Sequence, residues 1–95
     1  MPDLDITSHI KAIEVLKCAL LSDVSSLFNY LRVFSREDER DETMAQMLVH
    51  LYLLAKRLGL TYSQLDALAV SLLRNEILEE GATMEKQALL KHINP

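Results

Sequence analysis

The sequence predicts an all-α protein, and three observations support this fold class. Glycine occurs only at positions 59 and 81 and proline only at positions 2 and 95, so the chain offers few of the residues that strand turns need. Leucine is the commonest residue and aromatic residues make up only 5% of the chain, a composition that favours helix. Apolar residues recur at spacings of three and four, the period of a buried helical face. We expect a bundle of three long helices and a short C-terminal helix.

The first helix is expected to begin near Thr7 or Ser8, because either side chain can cap exposed amide groups, and to run to about Phe34. Seven apolar residues form its predicted core stripe. They are Ile13, Leu16, Leu20, Val24, Leu27, Leu31 and Phe34.

A dense run of charged residues, Arg36–Glu42, separates the first helix from the second. A solvated turn is the simplest interpretation, and acidic residues that begin a helix suit its positive end. An acidic metal site is the alternative. The second helix is expected to stop at Gly59. Its predicted core face comprises Met44, Met47, Leu48, Leu51, Leu54, Ala55 and Leu58.

Two later segments carry helix start signals. Thr61-Tyr62-Ser63-Gln64 has the form of a capping box, and it is expected to open a third helix that ends near Gly81. Thr83 is predicted to cap a short last helix.

Composition limits the possible partners. The formal charge of −4 and the pI near 5.2 argue against nucleic acid, because a phosphate-backbone binder needs a clustered basic surface. Charges interrupt every apolar segment, so no membrane span is expected. Cys18 has no partner for an internal disulfide, which favours a cytoplasmic location. The histidines are not spaced for zinc. The length fits one domain over residues 1–95.

The helices carry more apolar surface than one bundle face can bury. A second apolar set comprises Ile10, Leu21 and Phe28 on the first helix and Val49, Tyr52 and Leu53 on the second. Because another layer usually covers such surface, we predict a homo-oligomer, most simply a dimer. The alternative is that the third and fourth helices cover both stripes within one chain.

Two segments carry a family resemblance: LLSDVSSLF at residues 20–28 and LYLLAKRLGL at residues 51–60. They resemble the MazG-like family, short proteins related to MazG-type all-α nucleoside triphosphate pyrophosphohydrolases. The resemblance extends over about Ile6–Ile77. It implies a MazG-like helical bundle.

The resemblance also implies where a metal site would lie. MazG enzymes carry an E-x-x-E pair on the first helix and an E-x-x-D pair on the second, and these carboxylates hold magnesium. The matching positions here are Asp23, Ser26, Thr43 and Gln46, so three of the four carboxylates are lost. Glu42 lies one position before Thr43. A lysine-asparagine step on the third helix of the enzymes is matched in kind by Arg74-Asn75.

The resulting hypothesis is an eroded MazG-like protein that has weak or no catalysis and binds a nucleotide in a polar pocket. The candidate nucleotide-binding residues are Asp23, Ser26, Thr43, Gln46, His50, Arg74 and Asn75. Asp23, Ser26 and Tyr30 share one flank of the first helix, and the flank of the second helix that carries His50 could face it. The plainer interpretation is that Ser26 and Thr43 bond to their own helix backbone.

Two alternatives remain open. The first is an active magnesium-dependent nucleoside triphosphate pyrophosphohydrolase that uses Asp23 and Glu42 as metal ligands, in which case magnesium is the cofactor; otherwise none is expected. The second is a helical module that binds a different protein. The sequence assigns no catalytic residue.

Overall fold

The computed structural model describes the backbone of residues 2–95 and the side chains of residues 5–95. In this part the chain forms four α-helices and no strand, which confirms the all-α class. The helices are α1 (Pro2–Leu31), α2 (Glu37–Arg57), α3 (Tyr62–Glu80) and α4 (Met84–Ile93). The predicted arrangement of three long helices and a short last one is therefore confirmed.

The described chain divides into two compact units, one that ends at Gly59 and one that begins at Leu60. In the first unit α1 packs against α2, and in the second α3 packs against α4. The prediction of a single domain stays a prediction. None of the described helices combines the length and the hydropathy that a membrane crossing requires.

Both predicted ends of the first helix are wrong. Thr7 and Ser8 lie inside α1, which begins at Pro2, so neither residue is a cap. At the other end α1 stops at Leu31, where the amides of Arg32 and Val33 bond to carbonyls only three residues back. Such tightened bonds are typical of a last helical turn.

The predicted core stripe of α1 is partly confirmed. Ile13, Leu16, Leu20, Val24 and Leu27 are half-buried. By contrast, Leu31 is 54% exposed and Phe34, beyond the helix end, is 91% exposed, so these two predictions are wrong.

The charged run lies mostly inside α2 and only Arg36 precedes it. Glu37, Asp38 and Glu39 form the first turn of the helix, as the sequence predicts, where negative charge suits the helix dipole. The solvated turn itself consists of the exposed residues 32–36.

The inner face of α2 differs from the predicted one. Ala55 is buried and Met47 and Leu54 are half-buried, as expected. The other four members of the predicted face are exposed. They are Met44, Leu48, Leu51 and Leu58. The inward positions of the helix include 43, 47, 50, 54 and 55, and this stripe includes the polar residues Thr43 and His50.

The predicted stop and start between α2 and α3 are confirmed. Gly59 has a positive φ of 95°, a conformation that glycine adopts without the steric cost of a side chain. The Thr61 hydroxyl accepts from the Gln64 amide at 3.0 Å, and the Gln64 side-chain oxygen accepts from the Thr61 amide at 2.8 Å. Both bonds of the capping box are therefore present.

In the second unit, the predicted end of the third helix and the predicted cap of the last helix are confirmed. α3 ends at Glu80, directly before Gly81. The Thr83 hydroxyl accepts from the Lys86 amide at 3.1 Å and so caps α4. Val70 and Leu73 of α3 are the buried apolar residues of this unit.

Candidate functional site

Two polar residues are buried in the described part of the chain, and both lie on the helices of the first unit. Asp23 on α1 is 8% exposed and Thr43 on α2 is 7% exposed. A buried polar group destabilises the fold unless it has a hydrogen-bond partner, and a buried carboxylate does so strongly. The partners of these two side chains therefore determine what the site can do.

Asp23 is held by a histidine on the facing helix. Its Oδ2 lies 2.6 Å from Nδ1 of His50. A carboxylate without a proton can only accept, and in that form of the pair Nδ1 of His50 is the donor. The bond fixes the orientation of the imidazole and leaves Nε2 as the nitrogen available to other groups.

The second ring nitrogen of His50 is open to solvent. The side chain is 27% exposed, and no buried side-chain nitrogen or oxygen in the described chain lacks a partner. Nε2 makes no hydrogen bond to another described residue, so it is reached by water. In neutral imidazole it is an acceptor, and in imidazolium it is a cationic donor.

For Thr43 the plainer interpretation, a hydrogen bond to its own helix backbone, is confirmed. Its hydroxyl donates to the carbonyl of Glu39, one turn earlier on α2, at 2.7 Å. Thr43 thus satisfies its only donor within its own helix and retains acceptor capacity alone.

The other candidate residues differ in burial. Ser26 and Tyr30 are half-buried on α1, whereas Gln46 and Glu42 are exposed on α2. Arg74 and Asn75 are exposed on α3, in the second unit, and their part in the proposed site stays a prediction.

The predicted metal ligands, Asp23 and Glu42, also stay a prediction. Asp23 is buried and bonded to His50, while Glu42 is exposed on the helix opposite. Within the described residues, no group of three or more His, Cys, Asp or Glu side chains is placed to hold a metal ion.

A groove of about 830 Å³ lies on the same helix pair but contains neither Asp23 nor His50. It is formed by the beginning of α1 and the end of α2, and Arg57 lines it. This groove and the buried polar pair are therefore separate features of the helix pair.

The sequence allows the flanks of Asp23 and His50 to face each other, and in the structure a hydrogen bond joins these two side chains. Sequence reasoning did not identify His50 as the partner of Asp23. The available signal was the spacing of His50 from Thr43, seven residues or two helical turns, which puts both on one face.

The chain is similar to a known protein family over most of its length. A model of the MazG-like family matches residues 6–89. No curated protein and no solved structure matches the chain.

Proposed function

The chain belongs to the MazG-like family, and we propose that it is a member with an eroded metal-carboxylate site. In this proposal it binds a nucleoside or nucleotide beside the Asp23–His50 pair and has weak or no pyrophosphohydrolase activity. The observation that supports it is the 2.6 Å hydrogen bond between Asp23 and His50.

That bond matters because Asp23 is the one carboxylate at the four positions that match the family's magnesium ligands. Its Oδ2 accepts from His50, and the side chain is only 10% exposed. With Oδ2 bonded to His50 and the side chain so little exposed, the carboxylate leaves only Oδ1 and little accessible surface for an ion. Asp23 therefore serves as an internal partner of His50.

The remaining donors do not fit magnesium either. Magnesium takes six oxygen ligands in a near-ideal octahedron and loses its water reluctantly, so protein sites rely on carboxylates. Ser26, Thr43 and Gln46 are neutral, and the Thr43 hydroxyl is bonded to its own helix. We therefore assign no magnesium to this site.

The same groups suit a ligand that is recognised through hydrogen bonds. His50 offers Nε2 in a fixed orientation, Ser26 lies one turn beyond Asp23, and Gln46 lies one turn before His50. Hydroxyl, amide and imidazole groups pair with the edges of a base, with ribose hydroxyls or with phosphate oxygens. This donor set supports the proposal of nucleotide binding without a metal.

Isothermal titration calorimetry tests the binding proposal. Adenosine, guanosine, cytidine and uridine triphosphates, each titrated in EDTA, are the probes. We expect at least one to bind, and we expect His50→Gln and Asp23→Asn each to weaken that binding by about tenfold or more, since each removes a charge-assisted or orienting bond.

The matched control is His92→Gln, which changes an exposed histidine on α4. It should leave affinity unchanged. Equal affinity in wild type and both site variants would place the ligand elsewhere, and absence of binding by all four probes would end the nucleotide proposal.

We also propose that the partner of this chain is a second copy, in the cytoplasm. Large apolar side chains stay exposed along both helices of the first unit, among them Leu21 at 72%, Phe28 at 61% and Val49 at 54%. Apolar surface of this extent usually marks an interaction site. The cytoplasmic assignment is supported by Cys18, which is exposed and unpaired, as reducing compartments permit.

A further inference from the structure

The groove at one end of the first unit combines apolar surface with positive charge. It lies where α1 begins and α2 ends, and its volume is about 830 Å³, a size that suits a small molecule. Val15 and Leu53 contribute apolar surface, and Lys11 and Arg57 contribute cations. A ligand that matches this lining carries negative charge.

The two cations are available to such a ligand. Lys11 and Arg57 are exposed, and neither forms an ion pair with another described residue. Lys56 also lines the groove but already has a partner. No acidic side chain among the described residues is part of the lining, although the chain has 14 acidic residues and a net charge of −4. The groove is therefore a local cationic site in an acidic chain.

The helix dipole explains only one of the two cations. Arg57 lies in the last turn of α2, where positive charge is favourable. Lys11 lies well beyond the first turn of α1, where the dipole has little effect. A bound anion would account for both.

The groove and the Asp23–His50 pair lie on the same side of the two helices. At 100° per residue, Val15 and Ser26 differ by about 20° around α1, and His50 and Arg57 differ by about 20° around α2. Val15 and Arg57 line the groove, so Ser26 and the imidazole of His50 lie on the side where the groove opens.

The spacing along the helices suits one extended ligand. Arg57 follows His50 by seven residues, which is about 10 Å along α2. Lys11 precedes Asp23, the partner of His50, by twelve residues, which is about 18 Å along α1. A ligand that extends from His50 into the groove therefore meets Arg57 first and Lys11 last.

We propose that the groove binds the phosphate chain of the nucleotide whose nucleoside part contacts His50. Arg57 then pairs with the phosphates nearer the ribose, and Lys11 pairs with the terminal phosphate. A triphosphate bound without magnesium requires positive charge from the protein, and these two side chains supply it. This inference rests on the proposed nucleotide binding and adds where the phosphates lie and what neutralises them.

The hydrocarbon chain of a fatty acid would also suit the apolar part of the groove. A carboxylate carries one charge, however, and would engage one of the two cations. A hydrocarbon chain would also make no use of the polar groups of Ser26 and His50. The polyphosphate accounts for all of these features together.

Isothermal titration calorimetry in EDTA tests this assignment. The probes are the triphosphates and monophosphates of adenosine, guanosine, cytidine and uridine, and dodecanoate. We expect the nucleotide that binds to do so about tenfold or more tightly as the triphosphate than as the monophosphate, because only the longer chain reaches both cations. Lys11→Ala/Arg57→Ala should weaken triphosphate binding about tenfold or more and should weaken monophosphate binding less.

Two matched variants separate this effect from a general change in charge or structure. Arg32→Ala/Lys91→Ala removes two exposed cations that do not line the groove and should leave triphosphate affinity unchanged. Lys11→Arg/Arg57→Lys keeps both charges and should retain most of the affinity. Circular dichroism should show the same helicity in all variants.

The outcomes distinguish the phosphate assignment from the proposed function. Triphosphate affinity that survives Lys11→Ala/Arg57→Ala, or that does not exceed monophosphate affinity, would overturn the phosphate assignment and leave nucleotide binding at His50 standing. Absence of binding by every nucleotide would overturn both proposals. Dodecanoate that binds more tightly than any triphosphate, and no longer binds the alanine double variant, would assign the groove to a fatty acid instead.

Discussion

The buried carboxylate of Asp23 shows how a single contact shapes the site. It is 8% exposed, and the imidazole of His50 satisfies it at 2.6 Å. If His50 is removed, Asp23 remains buried without this hydrogen bond, and if Asp23 is removed, the half-buried His50 loses its partner. The stability of the first unit should therefore depend on both residues together.

A double-mutant cycle on Asp23→Ala and His50→Ala, followed by urea unfolding, measures this dependence. We expect each single variant to lower the free energy of unfolding by about 1–3 kcal/mol. The double variant should lose much less than the sum, because no unpaired group then remains.

The control cycle uses Glu14→Ala and Lys17→Ala, an ion pair of 2.9 Å between exposed side chains on α1. Solvent and salt screen such a pair, so its coupling should not be resolved. Additive losses for Asp23 and His50 would mean that their hydrogen bond does not contribute to stability.

The sequence alone could not identify this contact. The polar positions on α1 and α2 were visible as candidates because each helix has a regular period. The pairing of Asp23 with His50 depends on how far one helix slides along the other, which no local signal encodes. Thr43 was ambiguous for another reason, since its hydroxyl can bond to its own helix or outward.

At the scale of the helices, local signals predicted some boundaries well and others badly. The stop at Gly59 and the caps at Thr61 and Thr83 are confirmed, because each depends on contacts within a few residues. The predicted start of α1 is wrong, since Thr7 and Ser8 are tolerated inside a helix as well as at its cap.

The inner face of α2 was partly misassigned for a related reason. The predicted core stripe contains apolar residues only, whereas Thr43 and His50 occupy two of the inward positions. A polar residue with its own partner can replace a leucine in the seam between two helices, and a pattern of hydropathy does not detect it.

The capping box of α3 gives a prediction at this scale. Thr61→Ala removes the acceptor of the 3.0 Å bond from the Gln64 amide and should lower the free energy of unfolding by about 0.5–2 kcal/mol. Chemical denaturation measures the loss. Ser63→Ala, an exposed change in the same turn, is the control and should stay within about 0.5 kcal/mol of wild type. Equal stability of the two variants would contradict a structural role for the cap.

At the scale of the whole chain, the fold class agrees with what composition and periodicity predict, and the family agrees with the resemblance of residues 20–28 and 51–60. The MazG-like match covers residues 6–89, and the described chain is helical throughout its regular structure. The family match supports a relation to MazG-type proteins, and the erosion of the metal site at Asp23, Ser26, Thr43 and Gln46 stays a proposal. The nucleotide contact and the second copy of the chain are both proposals at this scale.

The central claim is that Asp23 forms a hydrogen bond with His50 and does not bind a magnesium ion. The chain should then hydrolyse nucleoside triphosphates weakly or not at all. Pyrophosphate release from the four triphosphates, measured with magnesium over wild type and Asp23→Ala, tests it most directly. We expect release from wild type to be absent or very slow and to be no faster than from the variant. Rapid magnesium-dependent release by wild type that disappears in Asp23→Ala would contradict the claim and establish an active pyrophosphohydrolase.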